Sequence, residues 1–572
     1  MASFVHKRWF ETVLVVSVTA VVFLSKTAVK TAADETTTSG QLKQTATADP
    51  AQAARAEIRH MNVQPQDWPQ WAGWSHKNNV PGNSDLVLDW DVESGKNIKW
   101  TAKLGSQTYG NPVVANGKVF VGTNNGAGYV KRFPPSVDLG CLLCFDAHTG
   151  RFLWQHSNRK LKAGAEVDWP EVGVCSAPYV DGDRLWYVNN RGELCCLDTE
   201  GFYDKENDGP FQNEPSTDLQ DADVIWKLDM MKELGVRQHN MSACSVTAWG
   251  EVLFVNTSNG VDESHERVPA PTAPSFIAVD RRTGRVLWTD NSPGKNILHG
   301  QWSSPSWAEI NGQVQVLFAG GDGWLYSFAP LGDGHGHSKL IWKFDCNPKT
   351  SKWVVGGRGD RNNLIATPVV YHNRVYIAVG QDPEQGEGIG HLWCIDPTKQ
   401  GDVSPELAVD AQGRPLPPRR VQAVNPAAGE KAVPNPNSAL VWHYSGADEN
   451  GDGKIAFEEE MHRSLGSVAV KDDLLYIADH SGILHCLDAR TGRSYWSYDL
   501  FAAAWSTPVI LGNKVLVTDE DGDVAIFQHS RQQKLLKEIN MQDSIYTTPV
   551  FAEGLLYIAT RSKLYAIQPT AK

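Results

Sequence analysis

The sequence lacks three local signatures of enzymes and haem proteins. It contains no Gly-x-Ser-x-Gly nucleophile turn and no His-Glu-x-x-His metal helix, and its Cys141-x-x-Cys144 pair is followed by Phe145 rather than His, which excludes covalent haem attachment by that motif. A basic excess is also missing. Fifty-three Lys and Arg face 66 Asp and Glu, a formal charge of −13, which argues against nucleic acid because phosphate binding needs a basic surface. The same balance suits a soluble protein or one that holds cations. No cysteine precedes Cys141, so no lipid-bearing cysteine follows the N-terminal segment. The uncharged apolar run at 12–24, behind Lys7 and Arg8, is too short for an ordinary membrane span and matches the core of an export signal. Residues 1–33 therefore read as a signal peptide or an uncleaved signal anchor. Residues 34–63 read as a polar linker, Thr-, Gln- and Ala-rich over 36–49, with a short helix within 51–61.

What is abundant is repetition. The stretch 482–496, GILHCLDARTGRSYW, is spelled as a strand, a tight turn and a second strand ending in Trp496. Asp-x-x-Thr-Gly with Trp eight places after the Asp recurs at Asp146 to Trp154 and Asp280 to Trp288. A four-strand unit built on this pattern can be traced eight times from Ile98 onward. Its first strand usually opens on a Pro, as at Pro112, Pro178, Pro368, Pro508 and Pro549, where the missing N–H costs least. Its fourth strand usually ends in Trp: Trp100, Trp154, Trp226, Trp288, Trp342, Trp442 and Trp496, assigned as structural, while the unit at 524–540 has none. Trp100 precedes any first strand, and the last unit stops at its third. The strand at 98–102 is thus expected to complete the last blade of an all-β, eight-bladed propeller spanning 64–572. An open β-solenoid is the competing architecture.

The Asp-x-x-Thr-Gly-x-x-x-Trp repeats resemble those of the PQQ-repeat propellers, a superfamily that holds both quinoprotein alcohol dehydrogenases and BamB, the propeller of the outer-membrane β-barrel assembly machinery. The opening Trp68-Pro69-Gln70-Trp71 and GHLWCID at 390–396 further resemble exported bacterial PQQ-like propellers. The resemblance implies Trp residues packed between blades. Four of the nine cysteines, Cys144, Cys196, Cys394 and Cys486, share one register position and are expected as small buried side chains rather than disulfides. The vicinal Cys195-Cys196 lies inside a strand, unlike the loop-borne pair of quinoproteins.

Connections between second and third strands, and between blades, should share one face of such a ring. That assigns 124–140, 257–275, 380–390, 157–173, 346–363 and 444–465 to a loop-rich face, the default binding side. The connections 199–224 and 399–440 go to the opposite face. The sharpest motif is 448–459, DENGDGKIAFEE, between blades 5 and 6. It matches an EF-hand loop at Asp448, Asn450, Asp452, Gly453 and Glu459, with the Lys454 carbonyl as a further ligand and Ile455 expected inward. Either it binds Ca²⁺ or its Asp and Gly residues simply shape a turn. Just ahead of the first strands, His239, Asn240, His299, Gln301, Arg361, Asn363, Trp505 and Tyr546 are candidates to line the channel mouth and hold a small ligand.

The sequence thus points to a non-catalytic exported scaffold of the periplasm or cell envelope, binding a protein or other envelope macromolecule, with Ca²⁺ ordering one loop. The alternative is a PQQ- and calcium-dependent alcohol or sugar dehydrogenase, for which no family motif supplies the catalytic Asp or the calcium set.

Overall fold

Each repeat folds into four antiparallel strands, and eight such sheets make up the molecule. The computed structural model describes residues 49–571 except 83–84, 163, 165–166, 357–358 and 381–387. The expected signal segment, 1–33, and the linker residues 34–48 lie outside the described residues. Blade 1 shows the order: an inner strand Val113–Ala115, then Lys118–Asn124, Leu139–Asp146 and the outer Phe152–Arg159. The ring closes as the sequence predicts. Ile98–Lys103 is the outer strand of blade 8, placing Trp100 opposite Ala566 of Lys563–Ile567.

The repeat signature carries the joints between blades. The Asp side chain accepts the N–H groups of the turn that follows it, as Asp146 does from His148 (3.1 Å) and from the Thr149 amide (2.8 Å) and hydroxyl (2.7 Å). The Gly adopts a positive φ, +71° at Gly150 and +72° at Gly492. It is Gly for a second reason: a Cβ there would lie 2.6 Å from the ring of Trp100 at Gly150 and 2.7 Å from that of Trp442 at Gly492. Those indoles belong to the preceding blade, and they donate Nε1–H to a carbonyl of the same turn, Trp100 to Ala147 (3.0 Å) and Trp442 to Ala489 (3.0 Å). Trp154, Trp226, Trp288 and Trp496 reach Thr199, Arg281, Pro330 and Ser530 in the same way. Trp342 bonds instead to Gln315 Oε1, whose amide donates on to Pro397 in blade 5. Blade 7, which has no such Trp, is covered by Trp90 from the N-terminal segment. That indole is buried against Ile539 and Met541 and donates to the Met541 sulfur.

One stretch laces the whole ring. Residues 66–82 cross the channel at the end formed by the hairpins between first and second strands, and they bond to the inner strands of blades 1 to 7 and to the hairpin that follows the inner strand of blade 8. Trp68 exchanges backbone bonds with Val114. Pro69, Ser75, His76, Asn79 and Gln66 carbonyls accept from Val180, Trp307, Val370, Ile510 and Glu553. Gln70 accepts from Thr247, and the Asn78 amide pairs both ways with Val470. The helix Pro50–Ile58 backs this plug. Its Ala54 and Ile58 pack with Trp68 and Trp74, and Glu57 accepts from the amide and hydroxyl of Ser75. The expected polar linker therefore needs correction over its last part: Ala51, Ala54 and Ile58 bury an apolar stripe against the propeller, so 50–58 belongs to the folded body.

The long connections after the third strands of blades 2 and 5 also differ from expectation. Both run along the outer strand of the preceding blade instead of staying on the opposite face. Gly401–Asp402 pairs in parallel with the outer strand of blade 4. Further on, Arg420 donates to the carbonyls of His265 (2.8 Å) and Leu298 (3.0 Å), which lie on the loop-rich side. Likewise Asp221 bridges to Gln155 of blade 1 and pairs with Arg132 in a loop-rich-face connection. Outer strands have an unpaired edge, and these segments occupy it. All nine cysteines are free, and the four register cysteines are buried. Cys195 and Cys196 face different core clusters, as neighbours on one strand must.

Candidate functional site

Because the plug seals one mouth, the channel is a blind pocket that opens on the loop-rich face. Residues just ahead of all eight first strands line a cavity of about 500 Å³. Its wall is aromatic. Tyr109 stacks on Tyr546 at 4.8 Å between centroids, Trp505 sits edge-on to Tyr546 at 5.1 Å, and Trp169 and Trp302 complete the lining. Trp71 of the plug also lines it, bonded through Nε1 to Thr367 (3.2 Å). Trp505 is held by Glu520 (3.1 Å), and Trp302 donates to the carbonyls of His239 and Met241. Burial pushes the Tyr109 phenol up, so it stays neutral. Among the described lining residues Glu171 is the one carboxylic acid, and none is Lys, Arg or His.

The candidates named from sequence separate into three groups. Asn240, Trp505 and Tyr546 line the pocket. Gln301, Asn363 and Arg361 are buried ties between loops. The Gln301 amide donates to Asn259 and Ser275, and Asn363 donates to Gly300. Arg361 shares the buried Asp345 with Lys349. Burial opposes ionisation of Asp345, but the two cations outweigh it and hold the carboxyl below its usual range. His239 and His299 come together with a residue that the sequence did not single out, His265. Their ring centroids are 4.6–4.9 Å apart, and His299 meets the Trp302 ring at 5.2 Å. His265 carried no spacing signal, since three different connections supply the three rings.

The EF-hand-like loop is folded on its own carboxylates. Asp448 accepts from the amides of Gly451, Asp452 and Gly453, and Asp452 accepts from Lys454. Glu459 reaches back to the amides of Glu449, Asn450 and Ala456. Gly453 has φ +85°, as the sixth place of such a loop requires. Two features depart from an EF-hand: only the short turn Phe457–Glu459 is helical, and Ile455 is 52% exposed rather than packed inward.

Several of the exposed large apolar side chains lie on this side of the ring. Phe501 is 84% exposed, and Val354, Val355, Ile389, Val421, Ile455 and Phe457 are exposed as well. The loops that carry most of them are bonded to one another. The Trp353 amide donates to Val421, Arg463 donates to Gly359, and Ile389 bridges to His462. The result is an apolar crown over blades 4 to 6, with Phe501 between blades 6 and 7.

A family model described as outer membrane protein assembly factor BamB matches residues 77–201, 138–403 and 419–571. Among solved structures, BamB from Moraxella catarrhalis is 13% identical, with 82% of this chain and 97% of that one covered at a TM-score of 0.46. The computationally designed protein Ika8 is 11% identical over 82% of this chain and 100% of that one, TM-score 0.45. Quinohemoprotein alcohol dehydrogenase from Comamonas testosteroni is 12% identical over 90% and 84%, TM-score 0.43. No curated protein matches the chain.

Proposed function

The chain belongs to the family described as outer membrane protein assembly factor BamB, and from that premise we propose that it is a non-catalytic scaffold of the cell envelope. It binds a protein partner over the loop-rich face, and an aromatic or apolar group of that partner enters the blind pocket. The N-terminal segment serves for export. The observation that carries the reading is the apolar crown beside an aromatic pocket. Exposed apolar residues scattered singly need no explanation, whereas a set clustered on bonded loops marks an interaction surface. A photo-reactive residue at Phe457 or Phe501 should crosslink to protein in cells, whereas one at Glu251, on a hairpin of the opposite face, should not. Equal adducts from both faces, or none from either, would sink the proposal.

The lining chemistry also bears on the rival reading. Pyrroloquinoline quinone carries three carboxylates, and a pocket without Lys or Arg among its described lining residues offers them no counter-charge. The residues present do not fit that cofactor. Adding the quinone and Ca²⁺ to purified protein should give neither a bound-quinone spectrum nor dye-linked alcohol oxidation. A tight complex with turnover would replace the scaffold by an enzyme.

Calcium at 448–459 is part of the proposal. The loop offers only oxygen donors, and Glu459 is buried beneath it. Glu449, within the loop, accepts from Ser494 and Ser497 of the outer strand of blade 6, so ordering the loop would brace one edge of the crown. Calorimetry should find one Ca²⁺ per chain in the parent and none in Asp448→Ala. The same isotherm from both proteins would show that the loop is a plain turn.

A further inference from the structure

The three-histidine cluster lies outside the lining of the blind pocket. His239 precedes the first strand of blade 3, His299 that of blade 4, and His265 sits in the connection between the second and third strands of blade 3. One ligand atom from each lies within 4.8 Å of those from the other two. Among the described residues this is the one group of three or more His, Cys, Asp or Glu side chains drawn together so closely.

The surroundings hold the rings in place. His239 is fully buried, and its Nδ1 lies 3.0 Å from the carbonyl of Val261. A carbonyl only accepts, so Nδ1 carries the proton and Nε2 presents a lone pair. That is the arrangement by which a backbone carbonyl orients a metal-ligating histidine. Nε2 of His239 is buried without a hydrogen-bond partner.

The backbone is pressed into shape around the cluster. Asn240, Ser258 and His265 have φ of +60°, +62° and +60°, a conformation that costs a non-Gly residue roughly 1–2 kcal/mol each. Gly260 touches both loops: a Cβ there would lie 2.4 Å from the Cβ of His239 and 3.1 Å from the carbonyl of His299. Arg420 clamps the carbonyls of His265 and Leu298 from outside. Strain retained at a point where three buried or half-buried imidazoles meet needs a compensating interaction, and a metal ion supplies one.

We propose that His239, His265 and His299 form a binding site for a divalent late transition ion, Zn²⁺ in the first instance, held by their three imidazoles. The donor set decides the class. Nitrogen-only ligation is poor for Ca²⁺ and Mg²⁺ and suits Zn²⁺, with Cu²⁺ and Ni²⁺ as chemical competitors. Three protein ligands would leave the fourth position of a tetrahedral ion for water or an anion. Among the described residues no carboxylate joins the three imidazoles in this group. The ion would fasten the blade 3 connection to the two inter-blade loops. It would also fix Trp302, whose ring packs on His239 and His299 while lining the pocket.

The test uses tag-free protein, stripped with a chelator and titrated with Zn²⁺ alone. One ion per chain is expected. His265→Ala removes the one ligand that is not buried, so its fold should be retained. It should weaken binding by more than the roughly 10–100-fold that accompanies loss of an outer-shell partner. With Cu²⁺ in place of Zn²⁺, electron paramagnetic resonance of the parent should show coupling to three imidazole nitrogens, a readout that needs no variant. Absence of saturable 1:1 binding, equal affinity in His265→Ala, or coupling to fewer nitrogens in the parent would overturn the site. None of these outcomes depends on whether the crown binds a partner.

Discussion

A chain that begins at Asp85 should fail to give a cooperatively folding protein. Among the described residues the plug bonds to the inner strands of seven blades and to the inner hairpin of the eighth, and these inner strands otherwise turn a free edge toward the channel. Every one of these bonds is worth a net ~0.5–1.5 kcal/mol. Trp68 and Trp74, both 2% exposed, add the burial of two large rings, and truncating one such ring to Ala costs roughly 3–5 kcal/mol. Together these approach the whole stability of an ordinary domain, about 5–15 kcal/mol, and the helix Pro50–Ile58 is lost with them. Some of the loss is offset because 49–84 no longer has to be ordered. A single substitution removes that complication. Trp68→Ala should lower the unfolding free energy by about 3–5 kcal/mol, read from urea denaturation followed by circular dichroism. The truncated chain should elute as aggregate or show no sigmoidal transition. A soluble truncated chain unfolding at nearly the parent's midpoint would mean that the ring stands without its plug.

The difference between what the sequence disclosed and what it hid has a physical basis. Asp-x-x-Thr-Gly-x-x-x-Trp was legible because one mechanical job, seating an indole of one blade on the turn of the next, recurs around the ring with the same residues. Blade count and closure by Ile98–Lys103 followed from that repetition. The plug was opaque for the opposite reason. Its residues 66–82 bond mostly through their backbone to eight blades far along the chain, which leaves no periodicity to read. The two long connections begin and end on the expected face but do not stay there, because topology fixes only where a connection starts and ends. The free outer edge of the preceding blade decided where 199–224 and 399–440 run. Position ahead of a first strand was a fair guide to the pocket for Asn240, Trp505 and Tyr546. It could not tell a side chain facing the channel from one turned between loops, as Gln301, Arg361 and Asn363 are. Ile455 faces solvent because the strand Leu440–Tyr444, rather than a helix, leads into its loop and provides no apolar groove to receive it.

Gly284→Ala should destabilise the propeller by about 2–5 kcal/mol, the sum of a backbone cost of roughly 1–2 kcal/mol and an overpacking cost of roughly 1–3. The two costs can be separated within the molecule. Gly284 has φ +73°, and an added Cβ would lie 2.6 Å from the indole of Trp226 in the preceding blade. Gly554 has φ +79° in a hairpin where a Cβ would meet nothing within 4 Å. Gly554→Ala should therefore cost only the ~1–2 kcal/mol of the left-handed backbone. The excess at Gly284 then measures how tightly the indole is seated, and it should vanish once the indole is gone. In a Trp226→Ala background, itself destabilised by about 3–5 kcal/mol, Gly284→Ala should cost no more than Gly554→Ala does. The coupling energy of that double-mutant cycle is the contact between blades 2 and 3, freed from the turn's own conformational preference. If Gly284→Ala costs the same in both backgrounds, the glycine is required by backbone geometry alone, and the blades are held together by something other than the repeat signature.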